Sequence, residues 1–138
     1  MQAVLTFKPA DRHKVVAVLQ DFARSAQLPP AILQAADLCL EEHITNVIQH
    51  GLAGDGPHEL VVQLTLDQDC FIAEVKDDGK AFDPLKNPEV NTAIPLDQRP
   101  VGGLGIHLMR RFMDALEYRR EGGQNVLTMR KHLPDSSA

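Results

Sequence analysis

The chain has 138 residues, 43% of them apolar and 24% charged, with a formal net charge of −5. That composition fits one domain with a single modest core and excludes a multidomain machine or a disordered tail; no apolar run approaches the roughly 18–20 residues that span a bilayer. Residues 1–98 hold 7 basic and 15 acidic side chains, whereas residues 99–132 hold 7 basic and 3 acidic, so the acidic whole argues against a nucleic-acid backbone as partner while the basic last third leaves room for a local anion site.

The N-terminus, MQAVLTFKPADRH, lacks the apolar segment and cleavage site of a signal peptide. Gln2–Lys8 alternates weakly and reads as an edge strand. Asp11 can cap a helix from Arg12 to about Ala26, with Val15, Val16, Leu19 and Phe22 on one face. Pro29-Pro30 breaks the chain and opens a second helix, running to about His50 and stopping at Gly51 as a C′ residue. GLAGDGPH is a turn. ELVVQLTLD and CFIAEVKDD, joined by Gln68-Asp69, read as a hairpin. From Asp83 to Val101 the pattern dissolves, with four prolines and no period; a loop that long in a compact domain is usually functional or mobile. A third helix begins within GGLGIHLMRRFMD, and ALEYRRE and NVLTMRKHL flank a Gly122-Gly123 turn. The order predicts an α+β layer, with helices on one face of a mixed or antiparallel sheet. Cys39 and Cys70 stand alone, as buried thiols in a reducing cytoplasm do.

Three stretches can carry chemistry. On the second helix, Leu33, Ala36, Leu40, Ile44, Val47 and Ile48 form a broad apolar stripe, with Glu42 and Asn46 beside it. Four residues apart, these two address the same volume. Cys39, His43 and His50 lie near the same edge, and a metal site there lacks a fourth ligand and any HExxH pattern. The second stretch is VKDDGKAFDP, where a strand-end carboxylate can accept from an exocyclic amine and glycine lets the backbone approach a flat ligand; the same Asp-Gly also makes an ordinary turn. The third is Gly102-Gly103-Leu104-Gly105-Ile106 ahead of an amphipathic helix, where free N–H groups and a positive dipole end suit phosphate. It is neither a P-loop nor a Rossmann fingerprint.

Taken in order, these stretches resemble the GHKL (Bergerat-fold) ATPase superfamily. Its N box resembles Glu42-His43-Ile44-Thr45-Asn46, its first glycine box Asp77-Asp78-Gly79-Lys80-Ala81-Phe82-Asp83, and its second Gly103-Leu104-Gly105. EEHITNVIQHG, and GGLGIHLMRRFMD running into EYRREGGQNVLTMRK, are similar to the anti-sigma-factor serine kinase branch, over about residues 4–132.

The resemblance implies a two-layer sandwich, a mixed sheet covered on one face by about three helices, as a single domain over residues 1–133 with a frayed tail at 134–138. It implies that Asn46 holds Mg²⁺ on the phosphates of ATP and that Glu42 is the general base toward an attacking hydroxyl. Asp77 would bind the adenine amino group with Gly79 clearing the ring, Phe82 would join the nucleotide site, and Gly103, Leu104, Gly105 and Ile106 would offer N–H groups to the phosphates. Asp83–Val101 would be the lid. The implied function is that of a cytoplasmic partner-switching kinase, phosphorylating a serine of an anti-anti-sigma (STAS) protein and binding a sigma factor, with a homodimer left open. The alternative is a nucleotide-tuned sequestering module of the same fold. A non-nucleotide interaction domain, its glycines serving only as hinges, is the reading from another class. The chain departs from the pattern at Ala81, where many relatives have glycine, and at Val101, where some kinases carry a lid arginine, with Arg99 two residues earlier. Asn125 falls near a position often filled by threonine beside the adenine, and no contact is assigned to it. There is no dimerisation helix with a phospho-acceptor histidine, which argues against a stand-alone histidine kinase.

Overall fold

The structure, a computed structural model, describes residues 1–52, 58–86 and 103–134. The elements in chain order are β1 (Gln2–Phe7), α1 (Lys14–Ala26), α2 (Pro30–Asn46), β2 (Leu60–Asp67), β3 (Cys70–Asp77), α3 (Gly103–Phe112), β4 (Ala115–Glu121) and β5 (Gln124–His132). The strands form one sheet in the order β1-β2-β3-β5-β4, so β1 is the edge strand its weak alternation predicts.

All four pairings are antiparallel. The mixed sheet implied by the resemblance is therefore not found among the described residues, and the antiparallel alternative holds. The connectivity gives the reason. Two helices between β1 and β2 carry the chain across the sheet twice, returning it to the end it left, so β2 must run back along β1. A tight hairpin does the same for β2–β3 and β4–β5.

Side-chain period then sorts the sheet. Leu60, Val62 and Leu64 of β2, Phe71, Ala73 and Val75 of β3, and Leu127 and Met129 of β5 are all buried in the core. Register stacks Val62 on Val75 and Val75 on Leu127. The helices cover this face. α1 buries Val15, Leu19, Phe22 and Ala23, a narrow stripe, and Phe22 meets Phe71 with ring centroids 6.0 Å apart. α2 is wedged between α1, α3 and β3, and it buries a wider set: Ile32, Ala35, Ala36, Cys39, Leu40, His43 and Ile44. Among the described residues no helix is long and apolar enough to cross a membrane.

Several local expectations are corrected. Val16 lies outside the α1 stripe, 41% exposed, because the buried face follows residues 15, 19, 22 and 23. Asp11 does not cap α1; it sits in a 3-10 turn, Pro9–Asp11, ahead of a helix that starts at Lys14. The second helix is regular only to Asn46, after which Val47–Gly51 widens into a π turn. Gly51 therefore closes that turn, with the Leu52 N–H donating to the Val47 carbonyl at 3.0 Å, and is no left-handed C′ residue. Gly122 and Gly123 do take positive φ, 59° and 77°, as their hairpin turn requires. Residues 53–57, most of the Asp83–Val101 loop, and 135–138 lie outside the described residues.

The two faces of α1 make a direct test. Leu19→Ala should lower unfolding free energy by about 2–5 kcal/mol, as for a truncated, fully buried leucine. Val16→Ala should stay within about 0.5 kcal/mol of the wild type. Chemical denaturation of both variants checks the assignment.

Candidate nucleotide site

The strand period that buries Phe71, Ala73 and Val75 puts Asp77 on the same inward face, at the end of β3. The register brings Asn125 of β5 directly opposite. Both are buried. The apolar stripe of the sheet thus ends in a carboxylate and an amide under the helices, a placement that demands hydrogen bonds.

Asn125 supplies them. Its Nδ2 donates to Asp77 Oδ1 at 3.0 Å and to the Lys80 carbonyl at 2.8 Å. Its Oδ1 accepts from the Phe82 N–H at 3.2 Å and from the Tyr118 hydroxyl at 2.5 Å. Two donors and two acceptor sites are all used, so one side chain ties β3, β4 and the segment after β3 together. Sequence reading left Asn125 without a contact; the signal that would have found it is the Asp77–Asn125 register.

Asp77 Oδ1 also accepts from the Gly79 N–H at 2.9 Å, and the Arg120 guanidinium donates to the Gly79 carbonyl at 2.8 Å. Burial pushes the Asp77 carboxyl up from its ordinary value, opposed by the Asn125 and Gly79 hydrogen bonds. Gly79 is glycine for a reason beyond ring clearance. A Cβ there would collide with the Gly51 carbonyl oxygen and lie 2.9 Å from Asp77 Oδ1. The Gly51 carbonyl in turn accepts from the Lys80 N–H at 3.2 Å. The π turn after Asn46 is what delivers that carbonyl to the first glycine box; such turns are frequent where a helix meets a functional site.

Around this hub lies a small cavity lined by His43, Val47, Gly51, Asp77, Phe82, Pro84, Tyr118, Asn125 and Leu127. Of the expected site residues, the structure brings Asp77 and Phe82 onto this lining, with Gly79 next to it. Glu42 and Asn46 are half-buried on the last turns of α2, beyond the lining. Thr45 beside Asn46 accepts from the Arg12 guanidinium, which holds the start of α1 against this end of α2. Gly103–Ile106 form the first turn of α3, where Gly103, Leu104 and Gly105 have N–H groups without a partner within the helix. Ile106 directs its side chain into the core, 1% exposed, and α2 packs on α3. Arg99 and Val101 lie outside the described residues.

No cluster able to hold a metal through His, Cys, Asp or Glu occurs among the described residues. The weighed Cys39–His43–His50 set fails because its members diverge: Cys39 is fully buried in the core and His50 is exposed. Burial pushes the Cys39 thiol up to about 11, so it is unreactive. His43 belongs to the cavity instead.

The chain matches, over residues 5–131, the family described as the histidine kinase-like ATPase domain. It belongs to that family. Within it, the serine/threonine-protein kinase BtrW of Bordetella bronchiseptica is 34% identical over 95 residues, covering 69% of this chain and 67% of the relative. The serine-protein kinase RsbW of Bacillus pumilus is 34% identical over 95 residues, 64% of this chain and 59% of that one. The anti-sigma F factor of Halalkalibacterium halodurans is 26% identical over 141 residues, 97% and 94% of the two chains. Among solved structures, the Acinetobacter baumannii histidine kinase AdeS superposes with a TM-score of 0.50 over 96% of this chain and 68% of that chain. At 17% identity this speaks to the fold alone. The GHKL family and its serine kinase and anti-sigma branch, inferred from the three boxes, are thus found.

Two outcomes follow from this site. Gly79→Ala should destabilise the histidine kinase-like domain by about 1–3 kcal/mol, since the Gly51 backbone and the buried Asp77 carboxylate must both shift; a thermal melt reads it. The second outcome concerns pH. Burial lowers the His43 pKa from 6.5 to about 4, so between these values the unfolded chain binds the proton and the folded one does not. Stability from this group is present above pH 6.5 and falls on acidification by about 3 kcal/mol before levelling near pH 4. Asp77, raised by burial, works in the opposite sense. Urea unfolding of wild type and His43→Leu across pH 4–7 isolates the histidine contribution as the difference between the two curves.

Proposed function

We propose that the protein is an ATP-dependent serine protein kinase of a partner-switching pathway, with a serine on a small anti-anti-sigma (STAS) protein as phosphoryl acceptor and a sigma factor as its other ligand. The observation that carries the reading is the buried Asp77–Asn125 pair at the polar end of the core, on the lining of a cavity that His43 of α2 also lines. The names of the relatives support the kinase and anti-sigma assignments.

The residues fit an adenine nucleotide. Asp77 is a buried acceptor held in place by two donors, which suits an exocyclic amine. The start of α3 would offer its N–H groups to phosphate oxygens at Gly103, Leu104 and Gly105, with Ile106 completing the turn that aims them. Asn46 would ligate Mg²⁺ through its amide oxygen. Bound Mg-ATP supplies the phosphoryl group and the charge neutralisation that its transfer needs. Glu42, one turn before Asn46, would take the proton from the attacking serine hydroxyl as the new O–P bond forms and the bond from the γ-phosphorus to the bridging oxygen breaks, ADP being the leaving group. Phe82 would close the site over the base. Glu42 and Asn46 therefore divide the work by position.

Calorimetry should show Mg-ATP binding by the wild type, and Asp77→Asn should weaken it by about 1–3 kcal/mol through loss of a buried charged acceptor. Absence of Mg-ATP binding by the wild type defeats the reading. With a radiolabelled nucleotide and the cognate STAS partner, Glu42→Ala should bind ATP nearly as the wild type does and transfer about 10²–10⁴-fold more slowly. Asn46→Ala should lose metal-dependent binding and transfer together. If the wild type binds ATP and partner yet transfers nothing, the sequestering module is the function.

A further inference from the structure

One polar atom of the cavity has no partner among the described residues. His43 is 5% exposed, lines the cavity with Asp77 and Asn125, and its Nδ1 makes no hydrogen bond to any of them. Such an atom costs native stability, and an apolar side chain of similar size would fill the space without that cost. The neighbouring polar groups are engaged elsewhere. Asn125 uses all four of its hydrogen-bonding positions, the Tyr118 hydroxyl donates its hydrogen to Asn125, and the Gly51 carbonyl accepts from Lys80. Among the described residues, His43 Nδ1 and the second oxygen of Asp77 are left to face a ligand.

We propose that His43 is a base-reading residue, its ring nitrogen making a second polar contact to the purine edge beside Asp77, directly or through one water. The cavity has room for about one water-sized sphere, ≈ 10 Å³, enough for a bridging water or a single ligand heteroatom at the polar floor. The inference rests on this cavity being the adenine site. Burial keeps the ring neutral, with its pKa lowered to about 4. At neutral pH it therefore offers one donor and one acceptor and no charge, which suits a nucleobase edge and not a phosphate. The residue selects among bases, while Gly103–Ile106 and Asn46 address the phosphates whatever the base.

The test sets affinity against stability. Wild type, His43→Leu and His43→Gln are titrated calorimetrically with Mg-ATP and Mg-GTP and melted without nucleotide. His43→Leu should bind Mg-ATP about 5- to 50-fold more weakly, discriminate less between ATP and GTP, and melt at or above the wild-type temperature without nucleotide. His43→Gln should recover part of the affinity. A leucine variant that binds Mg-ATP like the wild type overturns the proposal and leaves the adenine site standing. One that loses affinity and melting temperature together reduces His43 to packing and also overturns it. Failure of the wild type to bind either nucleotide removes the site reading and this inference with it. Long-range ¹H–¹⁵N spectra of the wild-type His43 ring decide the matter should the variants not fold: Nδ1 should shift on saturation with Mg-ATP, and an unmoved resonance overturns the assignment.

Discussion

A carboxylate placed at the inner end of an apolar sheet stripe organises the rest of this molecule. Asp77 continues the side-chain series of Phe71, Ala73 and Val75, so the alternation that builds the core also buries the acid. Leaving it unsatisfied would cost several kcal/mol. Asn125, Gly79 and the Arg120–Gly79 contact are the response, and each draws in a different element. The site is thus the place where the sheet core stops being apolar, held by groups whose positions the sheet register fixes.

The meeting of helix and strand is equally constrained. Had α2 stayed regular through Gly51, its last carbonyls would follow the helix axis. The π turn at Val47–Gly51 redirects the Gly51 carbonyl to the Lys80 N–H, across a Gly79 that has no Cβ to obstruct it. One glycine closes the turn and the other admits it. The turn that follows the N box and the first glycine box thus meet in one backbone hydrogen bond.

The gross architecture was legible in the sequence because it depends on local signals. Alternation marks β2, β3 and β5, Pro29-Pro30 opens α2, and Gly122-Gly123 supplies the positive φ of the last hairpin. Asp77 and Gly79 were legible as a strand end. The misreadings share a cause. Val16 is apolar and adjacent to the stripe, and only the packing of α1 on β1, β2 and α2 shows that the face turns past it. Gln27 and Gln68 take left-handed conformations that glycine usually marks. Asp11 has the chemistry of a cap and the wrong position, because the turn at Pro9–Asp11 delays the helix. Asn125 and His43 were invisible as site residues for a stronger reason: their roles exist only once strands 48 residues apart are in register and α2 is laid across them.

The same residues make the site a weak point of the fold. Asp77 is held against desolvation, and among the described residues His43 Nδ1 has no partner, so an apolar side chain would stand at position 43 if stability alone decided. Neither lies at the surface, where such groups are cheap. They lie on the lining of one cavity, where the end of α2 meets the end of β3 and the segment after it. A core with two such groups on the lining of one cavity is what a ligand polar at the same points would require. On the proposed reading, the local cost in the free protein would become binding selectivity, because a ligand lacking the matching groups would bury both without relief.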